Sequence, residues 1–131
     1  MKTSDLIRRI QSVLTPDLLH PLYRNRPVEL HYTTGHCYSA SEALYLLLGG
    51  KEKGYTPVCA TWEPGLSHWW IVDAHSRILD PTKAQFPKAL RPFIYKQGKK
   101  TGFPSLRLTT QGKQTTNCKA TREILRRLKN V

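Results

Sequence analysis

At 131 residues and 39% apolar composition, the chain has enough material for one domain with a buried core and too much for a disordered polymer. No apolar run approaches the roughly 18 residues that a membrane-spanning helix needs. The charged stretch Met1–Ile10 lacks the apolar region of a signal peptide, so a single cytoplasmic domain over 1–131 without membrane contact is expected. The net charge of +12 is unevenly spread: residues 1–82 carry eight Lys/Arg against eight Asp/Glu, whereas residues 83–131 carry thirteen against Glu123 alone. A neutral part and a basic part are therefore expected to do different work.

In chain order, residues 4–14 predict an amphipathic helix with Ser4 as its N-cap and Leu6, Ile10, Val13 and Leu14 on one stripe. Residues 15–34, with Pro16, Pro21 and Pro27, read as a connector. The segment that follows is rich in helix formers, apolar on most sides, and stopped by Gly49-Gly50. It predicts a central buried helix starting near Gly35-His36-Cys37, capped by Thr33 or Thr34. Strands are predicted at Thr56–Trp62, His68–Asp73 and Arg77–Asp80, with turns at 63–67 and 74–76. Residues 95–103 read as a glycine-and-lysine loop, 109–119 as a polar connector, and about Ala120–Lys129 as a basic helix with Ile124, Leu125 and Leu128 on its apolar side. Helices followed by antiparallel strands give an α+β fold.

Cys37 falls at the first turn of the central helix. There the positive end of the helix dipole favours a thiolate, and the unpaired amide of Cys37 can donate to an oxyanion. The alternative is a buried thiol serving as a small hydrophobe. His68 opens a strand beside two tryptophans, as a general base or as a histidine satisfied by a backbone carbonyl. Asp80 closes the next strand. A three-residue loop at 74–76 would pair Val72 with Ile78 and Trp70 with Asp80, making His68 and Asp80 diagonal neighbours on one face; a two-residue loop would separate them. Asp73 falls on the other face and reads as a turn or solvent residue. The cysteines are three in number with no CxxC spacing, which argues against a disulfide framework or a paired zinc site. No metal and no cofactor is expected.

The segments Gly35-His36-Cys37-Tyr38, His68-Trp69-Trp70-Ile71 and Ile78-Leu79-Asp80-Pro81-Thr82 resemble the three active-site motifs of transglutaminase-like proteins. These form a branch of the papain-like superfamily with the order Cys, His, Asp. The chain also resembles small phage and bacterial proteins with a GHCY…ASEALY…GGK…HWW…ILDPT pattern. The resemblance covers about 50 residues. It implies a papain-like fold with the cysteine helix packed on a small antiparallel sheet, and nucleophilic acyl chemistry through Cys37, His68 and Asp80. Papain-like peptidases carry a glutamine a few residues before the nucleophile, whereas here position 31 is His and Tyr32 follows. His31 and Tyr32 are thus oxyanion candidates, with His36 and Trp70 as substrate-side candidates. Hydrolysis or deamidation of a protein, peptide or small amide is expected ahead of acyl transfer, since nothing marks an acyl-donor cofactor site. The rival reading is a non-catalytic binding module. In it Lys96, Lys99, Lys100, Arg122, Arg126 and Arg127 would contact nucleic acid or another polyanion.

Overall fold

The structure is a computed structural model that describes residues 2–19, 35–63 and 66–129. It has an α+β architecture, with four α-helices and two antiparallel sheets among the described residues. Helix α1 spans Thr3–Ser12. Its N-cap is Lys2, so Ser4 lies inside the first turn rather than capping it. Helix α2 spans Cys37–Leu47 with His36 at its N-cap position and no side-chain capping bond from it; the expected caps Thr33 and Thr34 lie outside the described residues. Beyond it, Gly49 and Gly50 take positive φ of 100° and 66°, a conformation that ends a helix at little cost only for glycine.

Ala40, Ala43, Leu44 and Tyr45 of α2 are buried against Ile10 and Leu14 at the α1 end of the chain and against Ile124 and Leu128 of α4, Lys119–Lys129. Each Leu or Ile buried this way contributes about 1.5–3 kcal/mol. Arg127 adds polar ties, donating to the Val13 carbonyl at 2.9 Å and pairing with Asp17 at 2.8 Å.

The main sheet has the order β3–β2–β1–β4, from β1 (Thr56–Glu63), β2 (Leu66–Val72), β3 (Ile78–Leu79) and β4 (Gly98–Lys100). Side-chain alternation divides the strands between two cores. Ile71 joins the α2 core, with Trp69 packed against it. Trp70, Val72, Val58 and Ala60 face the opposite side and meet Ile94 of α3, Arg91–Lys96. Residues 95–103, expected as a loop, thus contain the end of α3 and the edge strand β4. Gly98 explains the close fit, since a Cβ there would stand 2.5 Å from Trp70 Cζ2 and 2.7 Å from Val58 Cγ1. Residues 109–119, expected as a connector, contain β6 (Gln114–Thr116), which pairs with β5 (Leu106–Leu108).

That small hairpin is held to α2 by Glu42, which is fully buried. Its carboxylate accepts hydrogen bonds from Thr116 Oγ1 at 2.7 Å and from the Ser105 hydroxyl. Tyr38 completes the network, its hydroxyl 2.6 Å from Ser105 Oγ. Among the described residues, no helix is long and apolar enough to cross a membrane.

Candidate active site

The hairpin joining β2 to β3 sets the register of the site. Val72 pairs with Ile78 and Ile71 with Leu79, and the Asp73 amide donates to the Arg77 carbonyl at 3.1 Å. Ala74, His75 and Ser76 therefore form a three-residue loop. Ser76 closes it at φ 61°, the left-handed position that three-residue hairpins use. Asp73 belongs to the turn: its Oδ1 accepts the amides of His75 and Arg77 at 2.8 and 2.9 Å, and these bonds hold its carboxyl below the usual range.

Carried two residues past Val72–Ile78, this register brings Asp80 to the His68 face. His68 Nε2 and Asp80 Oδ2 are 2.7 Å apart, with both side chains 1% exposed. Asp80 is held in turn by three donors: the Thr82 amide to Oδ1 at 3.1 Å, the Thr82 hydroxyl to Oδ1 at 3.4 Å, and the Tyr95 hydroxyl to Oδ2 at 2.9 Å. The Asp-Pro-Thr sequence builds the first of these locally, as an aspartate bonding its own backbone two residues on. Phe86 stands edge-on to the imidazole with ring centroids 4.8 Å apart, and Trp70 lies at 5.6 Å.

With Nε2 committed to Asp80, the other ring nitrogen, Nδ1, stands 3.4 Å from Gln85 Nε2. The Cys37 thiol, half-buried at the first residue of α2, lies near enough to the His68 ring to raise its pKa. Burial pushes the imidazole toward the neutral form. The hydrogen bonds and charges of Asp80 and Cys37 outweigh burial and raise its pKa to about 9. The ring therefore keeps a proton at neutral pH, opposite a group that can give one up. Among the described residues the Cys37 amide makes no hydrogen bond, as expected at a helix start.

The remaining candidates fall differently. His36 is buried at the head of α2, and its Nδ1 has no partner among the described residues. Burial lowers its pKa to about 4, against the opposing charge of Asp17, so it is neutral at pH 7. Trp70, expected toward the substrate, is 2% exposed and edge-on to Tyr95; it belongs to the core beneath Gly98. His31 and Tyr32 lie outside the described residues. Glu42 ties α2 to the β5–β6 hairpin and not to the loops around His68. Cys59 is half-buried, with burial raising its thiol pKa, and Cys118 is half-buried just before α4. Among the described residues no three His, Cys, Asp or Glu side chains group as metal ligands.

In the basic part, Lys96, Lys99, Lys100 and Arg122 are exposed, the second and third on edge strand β4. Arg126 and Arg127 are engaged by Glu123, and Arg127 is half-buried against the 13–17 segment. Arg127 is therefore a structural tie and not an open anion contact.

The sequence pointed to Cys37, His68 and Asp80; the structure pairs His68 with Asp80 at 2.7 Å and has Cys37 near enough to His68 to act on its pKa. It did not point to Thr82, Gln85 or Tyr95. Thr82 was readable from Asp-Pro-Thr, whereas Tyr95 arrives on a helix with no clear pattern. The chain matches no protein-family model, and no curated protein and no solved structure shows significant similarity to it.

Proposed function

We propose that the chain is a thiol-dependent hydrolase or deamidase of papain-like, transglutaminase-like build, acting on an amide or related acyl bond. One observation carries the reading: a buried imidazole is held by a carboxylate at 2.7 Å on Nε2 and has a helix-start thiol near enough to raise its pKa. Cys37 attacks the carbonyl carbon and its proton resides on His68. The imidazolium then protonates the leaving amine, and water activated by the neutral imidazole releases the acyl group. Asp80 fixes the ring orientation and stabilises the imidazolium. Burial of the pair strengthens these interactions by keeping water away from them.

The test uses p-nitrophenyl acetate as a general acyl donor. A burst of one nitrophenolate per chain is expected, with the acetyl group located on Cys37 by mass spectrometry. The Cys37→Ala variant should give no burst. Acetylation spread evenly over Cys37, Cys59 and Cys118 at the rate of a free thiol would defeat the proposal.

The second reading has its own observation, since Lys99 and Lys100 stand exposed on a sheet edge near Lys96. It predicts binding of arbitrary oligonucleotides that weakens steeply with salt and is unaffected by Cys37→Ala.

A further inference from the structure

A single segment supplies more of the site than its carboxylate. After Asp80 and Thr82 the chain makes one tight turn, Lys83–Gln85, in which the Gln85 amide donates to the Thr82 carbonyl at 3.1 Å. The turn returns the Gln85 side chain over the imidazole. One N–H of its carboxamide is held by Thr82 Oγ1 at 3.0 Å. The same nitrogen stands 3.4 Å from His68 Nδ1, long for a hydrogen bond, and Gln85 is half-buried rather than sealed in.

In the proposed hydrolase, Nδ1 is also the ring nitrogen left for the Cys37 thiol. One imidazole nitrogen cannot accept from an amide while it carries a proton shared with sulfur. With a proton on Nδ1, the second Gln85 N–H has no acceptor on the ring and is left for the negative charge that develops beside it. Resting on the hydrolase reading above, the geometry points to Gln85 as the side-chain oxyanion donor of this site, acting with the backbone amide of Cys37, which has no partner among the described residues. The position that papain-like peptidases fill with glutamine upstream of the nucleophile holds His31 here. The donor would instead come from the segment that follows the acid. Its N–H stabilises the oxygen of the tetrahedral intermediate formed as Sγ bonds to the carbonyl carbon, before the carbon–leaving-group bond breaks and the carbonyl re-forms.

Two reactions of the same thiol separate this role from a positioning role. Alkylation by iodoacetamide forms an Sγ–carbon bond and expels iodide, with no oxyanion. Acylation by p-nitrophenyl acetate passes through one and expels nitrophenolate. In Gln85→Ala, acylation should fall about 100-fold while alkylation stays within about threefold. Gln85→Met, which keeps the length of the side chain and removes the N–H donors without adding charge, should behave the same way, with thermal melting of both variants checked against wild type. Equal losses in the two reactions would show that Gln85 acts only by orienting His68, and no loss in either would show that it takes no part. Both outcomes overturn the proposal. A wild-type chain that reacts no faster than a free thiol in either assay would instead overturn the hydrolase reading beneath it.

Discussion

Two carboxylates are buried among the described residues, Asp80 on the α3 side of the sheet and Glu42 on the α2 side. Glu42 is surrounded by hydroxyls, Ser105 and Thr116 directly and Tyr38 through Ser105. None of these hydroxyls gains or loses a proton near neutral pH, and the cluster ties α2 to a hairpin more than 60 residues away. Asp80 has Thr82 and Tyr95 as comparable donors, and it also has an imidazole. The two sites have similar burial, with two hydrogen bonds to Glu42 and four to Asp80 among the described residues. They differ also in whether one partner can carry charge, and the proposed chemistry rests on that difference.

Substitution should separate them. Asp80→Asn keeps the shape but removes the charge that holds the proton on His68, so acylation of Cys37 should fall by about 100-fold or more. Glu42→Ala leaves two hydroxyls without their acceptor and opens a void, at a cost of roughly 3 kcal/mol. Melting should come about 10 °C lower by calorimetry. Its acylation rate, measured well below that melting temperature, should stay within about threefold of wild type. Equal effects of the two changes on both readouts would erase the distinction.

The readable parts of the site were local. Helix-forming residues ending at Gly49-Gly50 placed Cys37 near a helix start, and strand alternation with an odd turn placed His68 beside Asp80. What could not be read depends on distant segments meeting. The burial of Glu42 requires Ser105 and Thr116 to return to α2. Tyr95 reaches Asp80 only because the short α3 packs over Trp70, an approach that Gly98 permits and that no periodicity announces. Trp70 was misplaced for the same reason, since alternation gave its face correctly but not the helix covering that face.

The central claim, that the His68–Asp80 pair makes Cys37 a nucleophile, is tested most directly by the rate of Cys37 alkylation with iodoacetamide as a function of pH, in wild type and in His68→Ala. His68 has a folded pKa raised from 6.5 to about 9, so it faces the sulfur as a cation throughout the neutral range and loses that charge as pH rises through about 9. A free thiol gains reactivity over the same interval. Wild-type Cys37 should therefore exceed a free thiol by about tenfold or more near pH 6.5, with the advantage shrinking toward pH 9 and absent at every pH in His68→Ala. A wild-type rate that tracks a free thiol across the whole range, unchanged by His68→Ala, would contradict the account.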